Sequence, residues 1–259
     1  MTRHIEMAIE LRVASELVWR AISDASEMAK WLAPEVRITG ERLFVSWGEG
    51  LSIDEPIARV EPGRLLRHRF GEGRDVEWTL EPKDGRTTTL RLNHTGFLAE
   101  DEELDSTRRG WRIFLANLRH YLEHHAGAPC GQRPFVLRVE ADRDAVWRHI
   151  VSARGLDRDG TLGSVAPGAK YHLTTSRGRT LAGVVQILEP ARDLALTVSD
   201  DVLLRLSLER TKDGTMVYGV VLAYGAAAGD AASLASDVES ALRAALEKDP
   251  PLSVRRQRV

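Results

Sequence analysis

Several things are scarce in this chain. Its 259 residues include one cysteine, Cys130, so no intramolecular disulfide can staple it and no cysteine-rich metal cluster can form. Charge of one sign is also missing. Lys plus Arg number 36 and Asp plus Glu 38, a net of −2, which gives no electrostatic argument for nucleic acid or an anionic membrane surface. No apolar run approaches a membrane span, and the start Met1-Thr2-Arg3-His4-Ile5-Glu6 lacks the apolar stretch of a secretory signal. The expected setting is therefore the cytoplasm, with no membrane span and no nucleic-acid partner. No glycine loop joins a strand to a helix, which argues against nucleotide binding. No His-Glu-x-x-His, second cysteine or acidic cluster supplies metal ligands. His120 and His124 have a spacing that can bind a metal, with His125 alongside. Yet they fall off the apolar stripe of their helix, at its C-terminal end, where the dipole favours histidines anyway. Neither a metal nor a cofactor is expected.

What remains is 43% apolar and 29% charged, an ordinary globular composition, and it is written twice. Val18-Trp19-Arg20-Ala21-Ile22 recurs as Val146-Trp147-Arg148-His149-Ile150, 128 positions on (146 − 18). Val60-Glu61-Pro62 recurs as Leu188-Glu189-Pro190 at the same offset, and Leu80-Glu81 before Asp84-Gly85 recurs as Leu208-Glu209 before Asp213-Gly214. So long a period exceeds solenoid repeats of roughly 20–50 residues and fits two copies of one domain. The expected division is a domain at 1–126, a linker at 127–133 with Gly/Pro composition, a degenerate second domain at 134–249, and a solvated tail at 250–259.

Each copy mixes both periods. In the first, Met7, Ile9, Leu11 and Val13 alternate, which predicts a strand. Ser15 is the expected cap of a helix carrying Leu17, Val18, Ala21 and Ile22. Asp24-Ala25-Ser26-Glu27 reads as a capping box opening a second helix through Met28, Trp31 and Leu32 to Pro34. From Val36 to His94 the period is two, punctuated by Pro62-Gly63, Gly71-Glu72-Gly73 and Asp84-Gly85, the pattern of an antiparallel sheet. Glu100 to Glu103 then lead into a helix whose stripe is Trp111, Phe114, Leu115, Leu118, Tyr121 and Leu122. Leu104 to His125 would make about 33 Å of helix, enough to cross several strands. The class is α+β. In the second copy, Phe135–Glu140 reads as the opening strand, and Asp142 caps the Trp147 helix. Gly155, Asp157, Asp159 and Gly160 occupy the place of the second helix. Strands are expected near Tyr171–Thr175, Leu181–Leu188, Leu194–Val198, Val202–Glu209 and Met216–Tyr224. A closing helix carries Leu234, Val238, Ala241, Leu242 and Ala245.

Five features in order resemble a known family: the Val-Trp-Arg-x-Ile helix, Trp31, Val60-Glu61-Pro62, Leu92-Asn93-His94-Thr95-Gly96-Phe97, and Gly110-Trp111. They are similar to the domain related to the C-terminal part of activators of heat-shock protein 90 ATPase, within the START-related, helix-grip (SRPBCC) superfamily. The resemblance spans most of residues 4–125. It implies two tandem helix-grip domains, each a curved antiparallel sheet around a long C-terminal helix with an apolar cavity between. The second copy departs from it, with Asp159 where Trp31 would recur, Tyr224 near the place of His94, and no Gly-Trp in its last helix.

The expected site is that cavity in the first copy. Alternation turns Trp47, Leu66, His68, Phe70, Trp78, Leu90, Leu92 and His94 inward, with Trp31, Phe97 and Trp111 at the mouth. Aromatic walls with two imidazoles are the chemistry of a small-molecule pocket, and a neutral imidazole supplies one donor and one acceptor. The candidate ligand-binding residues are Trp31, Trp47, His68, Phe70, Trp78, Leu92, His94, Phe97 and Trp111; no residue is assigned a catalytic role. The expected function is non-enzymatic binding of an apolar, aromatic or lipid-like molecule. The resemblance implies two alternatives: a co-chaperone or self-associating module tied to stress response, or a polyketide cyclase or dehydratase using a cavity histidine. The co-chaperone reading ranks lower because the chain starts directly with the C-terminal-type domain. Arg67 and Arg69 are expected to pair with Glu77 on the wet face.

Overall fold

The computed structural model describes residues 3–48, 50–71, 73–98, 103–151, 166–174, 178, 180–247 and 252–255. The chain divides into two units, Met1–Ala128 and Pro129–Val259. The expected features at Gly155–Gly160, Thr175, Glu72, Glu100–Glu102, Pro250-Pro251 and Arg256-Gln257-Arg258 lie outside the described residues.

In the first unit the period-two segments become strands β1 (Arg3–Leu11), β2 (Glu35–Thr39), β3 (Arg42–Gly48), β4 (Leu51–Glu61), β5 (Leu65–Arg69), β6 (Asp75–Asp84) and β7 (Thr87–Phe97). They form one antiparallel sheet in the order β1-β7-β6-β5-β4-β3-β2. Two helices, α1 (Ser15–Ser23) and α2 (Ala25–Met28), follow β1, and α3 (Glu103–His124) closes the unit. The register sets one inward row across four strands: His68 opposes Val76, Val76 opposes His94, and His94 opposes Ile5. A second row runs Leu66, Trp78, Leu92, Met7. Because side chains alternate, both rows face the same side. The stripe of α3 lies over that side, with Trp111, Leu115, Leu118, Tyr121 and Leu122 all buried. Burying a tryptophan such as Trp111 contributes roughly 4–6 kcal/mol on area bookkeeping, an upper estimate.

Local chemistry differs from expectation in places. Ala14, not Ser15, holds the N-cap position of α1, and no side chain caps it. Asp24 does cap α2, accepting from the Glu27 N–H at 3.0 Å. That helix ends at Met28, however, and Trp31 sits in the turns beyond it. Glu27 does not reach back to complete the box. Its carboxylate is drawn inward by the Tyr121 hydroxyl and by Lys30 Nζ at 2.9 Å. On the outer face Arg67 and Arg69 both pair with Asp75, rather than with Glu77.

The second unit repeats the plan: β8 (Cys130–Val139), α4 (Arg143–Val151), β9 (Lys170–Thr174), β10 (Thr180–Glu189), β11 (Asp193–Ser199), β12 (Val202–Thr211), β13 (Gly214–Tyr224) and α5 (Ala231–Leu246). Its sheet order, β8-β13-β12-β11-β10-β9, matches β1-β7-β6-β5-β4-β3 of the first. Asp142 caps α4 by accepting from Ala145 N–H at 2.8 Å. Two expectations are corrected here. Four residues assigned to the linker, Cys130 to Arg133, are strand, because their backbone groups pair with Val221 to Tyr224. Part of the supposed solvated tail is also ordered: Val254–Arg255 forms strand β14 on the free edge of β8. The core is largely aliphatic. Leu137, Val185, Leu196, Leu204, Leu206, Val217, Val221, Val238 and Leu242 are completely or nearly completely buried in it. The chain is thus a tandem pair of α+β helix-grip domains.

Gly96, in the last turn of β7, carries φ +93, and a Cβ there would meet the Gly73 carbonyl oxygen at 2.2 Å. Gly96→Ala is expected to destabilise the first unit by at least about 1–3 kcal/mol. The check is chemical unfolding followed by tryptophan fluorescence, with the control Gly63→Ala, whose Cβ meets nothing within 4 Å, losing less.

Candidate functional site

The two inward rows of the first sheet and the stripe of α3 enclose a nest of rings. Trp78 contacts Trp31 edge-on at 6.1 Å between centroids and Trp111 at 5.3 Å. His94 lies 4.9 Å from Phe70, 4.6 Å from Phe97 and 6.0 Å from Trp111. Trp111 continues to Phe114 at 5.9 Å, and Phe114 stacks on Trp47 at 6.0 Å. Of the nine residues expected at the site, seven belong to this chain of contacts. The other two adjoin it: Leu92 opposes Trp78, and His68 opposes Val76 beside His94.

Depth is where expectation fails. Trp31, Phe97 and Trp111 were placed at a mouth, yet they are 1%, 0% and 5% exposed. Period-two and period-3.6 patterns assign a face, not a depth along it. The partly exposed rings are Trp47, Phe70 and Phe114. Phe114 was visible only as one member of the α3 stripe; its position one turn beyond Trp111 was the available signal. Two tryptophans have structural duties. Trp31 Nε1–H donates to the Ala21 carbonyl at 2.8 Å, and Trp47 Nε1–H donates to the Leu32 carbonyl at 2.9 Å. Asn117 Nδ2 in turn donates to the Trp31 carbonyl at 3.2 Å, tying the turn to α3.

Trp111 is different, because its indole N–H donates to a side chain, His94 Nδ1, at 3.0 Å. An indole nitrogen can only donate, so Nδ1 must accept, and the ring's proton is therefore on Nε2. That Nε2–H is buried and has no hydrogen-bond partner. His68 has the opposite tautomer. Its Nδ1 lies 2.8 Å from the Arg69 carbonyl oxygen, which can only accept, so Nδ1 carries the proton and Nε2 keeps a lone pair. One row thus holds a donating and an accepting imidazole, two strands apart.

Both rings are kept neutral. Burial lowers the pKa of His94 from 6.5 to about 4, assisted by the Arg74 guanidinium and by His68. Burial likewise lowers that of His68. Arg74 itself sits over the Phe97 ring at 4.9 Å and is paired with Glu103 at 2.7 Å. A neutral buried imidazole with such a pKa is a weak base near pH 7 and a good hydrogen-bond donor.

With this geometry in view, the sequence can be compared with known proteins. The sequence model of the family described as activator of Hsp90 ATPase homolog 1-like protein matches residues 12–123, within the first unit. The first unit is therefore similar to that family over nearly its whole length. No curated protein matches the sequence. The solution structure of the Aha1 dimer from Colwellia psychrerythraea is similar at 18% identity and TM-score 0.44, covering 48% of this chain and 99% of that one. DynU16, a putative protein in the dynemicin biosynthetic locus, is 20% identical at TM-score 0.44, covering 93% of this chain and 94% of that one. The di-domain ARO/CYC StfQ from the steffimycin biosynthetic pathway is 12% identical at TM-score 0.42, covering 93% and 96%. Among the described residues, no helix is long and apolar enough to cross a membrane.

The depressed pKa of His94 makes stability depend on pH. The folded ring resists protonation down to about 4 while the unfolded ring takes a proton near 6.5, so its contribution is whole above 6.5 and is lost as pH falls toward 4. The full difference is roughly 3 kcal/mol. Urea unfolding at pH 7.5 and 4.5 should show a smaller acid-induced loss for His94→Gln than for the parent; an equal loss would contradict the assignment. The residual slope belongs to His68 and to the carboxylates.

Proposed function

We propose that the first unit binds a small, largely apolar ligand carrying a hydrogen-bond acceptor, between the sheet and α3, without transforming it. The observation that carries this reading is the His94 Nε2–H, a buried donor left without a partner among aromatic rings. Leaving such a group unsatisfied costs about 1–3 kcal/mol, which a carbonyl or ether oxygen on a bound molecule would recover. Flat aromatic walls favour a planar, ring-bearing partner, and the lone pair on His68 Nε2 can accept from a hydroxyl on the same molecule. In the state described here the rings meet one another. Entry then requires the partly exposed Phe70, Phe114 and Trp47 to swing aside, a shift toward an open state that the ligand stabilises. A catalytic reading is less favoured, because an imidazole with a pKa of about 4 is poorly matched to proton abstraction near pH 7.

The match over residues 12–123 supports a second reading, partnership with a heat-shock protein 90-type chaperone. Co-sedimentation with the purified chaperone in the presence of ATP tests it, and no association at tens of micromolar would remove it.

For the ligand reading, planar aromatic ketones, hydroxylated polycyclic aromatics, fatty acids and matched hydrocarbons are titrated into the whole chain. The expected result is quenched tryptophan emission and a raised melting temperature with the ring-bearing carbonyl compounds. His94→Phe should weaken those compounds at least tenfold, about 1.4 kcal/mol, and leave the hydrocarbons little changed. A panel that moves neither signal, or equal loss for both classes, would count against the proposal.

A further inference from the structure

A second group of imidazoles lies at the far end of α3, away from the ring nest. His120 is buried, His125 is partly exposed and His124 is exposed. Their ring centroids are 4.9 Å apart for His120 and His125, 5.2 Å for His120 and His124, and 6.2 Å for His124 and His125. The Nε2 atoms of His120 and His125 face each other at 3.2 Å. The spacing that sequence suggested for a metal, His120 with His124, is therefore not the one whose nitrogens converge. His125 lies one residue beyond the helix, which is why helical periodicity misses the pairing.

The backbone holds this pair in place. His125 N–H donates to the Tyr121 carbonyl at 2.7 Å, continuing the helical turn. The chain then folds back: Ala128 N–H donates to the His125 carbonyl at 2.9 Å, and Gly127 N–H to the Tyr121 hydroxyl oxygen at 3.0 Å. Gly127 supplies the left-handed conformation, φ +82, that this turn requires. Tyr121 is fully buried, so it fixes the main chain on both sides of His125.

We infer that His120 and His125 form a bidentate site for a divalent late first-row transition ion, copper or zinc, with exposed His124 or water completing the shell. Two nitrogens 3.2 Å apart, each about 2.0–2.1 Å from one ion, subtend roughly 100–105°, close to the tetrahedral angle. Imidazole nitrogen is a donor that suits copper and zinc over calcium or magnesium. The helix C-terminus is the negative end of the backbone dipole and favours a cation there. In the ion-free pair one ring donates its Nε2–H to the other. Metal binding replaces that contact, each Nε2 turning a lone pair to the ion. Among the described residues no three or more His, Cys, Asp or Glu side chains are already arranged around a metal position. The site is accordingly two-toothed, with the remaining positions filled from solvent or by rotation of His124.

The test uses the full-length, untagged chain carrying Cys130→Ser, which removes the one thiol. Titration calorimetry with copper(II) or zinc chloride should give one ion per chain, copper tighter than zinc, with a raised melting temperature. His125→Gln, at a partly exposed position that does not threaten the core, should weaken binding at least tenfold and abolish the thermal shift. His172→Gln, a surface histidine elsewhere, should change neither. No binding at millimolar metal, unchanged affinity in His125→Gln, or an equal loss in His172→Gln would overturn the site. None of these outcomes bears on ligand binding at His94.

Discussion

One hydrogen bond organises the first unit, the indole N–H of Trp111 donating to His94 Nδ1 at 3.0 Å. It joins the covering helix to the row of the sheet that bears the imidazoles, and it chooses the tautomer. With Nδ1 occupied as an acceptor, the only proton His94 can offer is on Nε2, buried among Phe70, Phe97 and Trp111. Burial and the nearby Arg74 then keep the ring uncharged. A polar atom so placed lowers stability unless something meets it. Such exceptions to local optimisation tend to sit where a protein does its work.

The second unit shows what the same scaffold is like without that interaction. Its strand order repeats the first, and its closing helix again buries an apolar stripe. Its core, though, is built mainly from leucine and valine; among the described residues of that core the aromatic members are Phe135, Trp147 and Tyr171, and none is histidine. Tyr224, near the place of His94, is completely buried. Those aliphatic side chains bring no hydrogen-bonding atoms to the core, whereas the rings of the first unit meet at edges and faces and hold two imidazoles among them. Duplication has thus kept the architecture in both copies and the candidate chemistry in one.

Much of this was legible in the residues. Alternation located most strands because a half-buried antiparallel strand must show it, and the 128-residue repeat announced the tandem arrangement. Strand β4 was not singled out within the period-two region, since Leu51–Glu61 is mostly exposed and its alternating Leu51, Ile53 and Ile57 are interrupted by Glu55 and followed by Arg59. The ordered tail escaped because Val254–Arg255 is strand only by virtue of the free edge of β8. Depth escaped too: Trp31 and Phe97 share a face with their neighbours in either reading, and only the packing of α1, α2 and α3 places them inside. The tautomers of His68 and His94 depend on which atoms meet in three dimensions, and no spacing rule encodes that. The His120–His125 contact belongs to the same class, for it arises where a helix stops.

The claim on which the rest depends is that His94 is a neutral, Nε2-protonated imidazole. Nitrogen-15 NMR of the side-chain histidines reads this directly, because protonated and lone-pair ring nitrogens resonate far apart. At pH 7 the account predicts a lone-pair Nδ1 coupled to the Trp111 indole proton and a protonated Nε2. A proton on Nδ1, or an imidazolium signal at that pH, would contradict it.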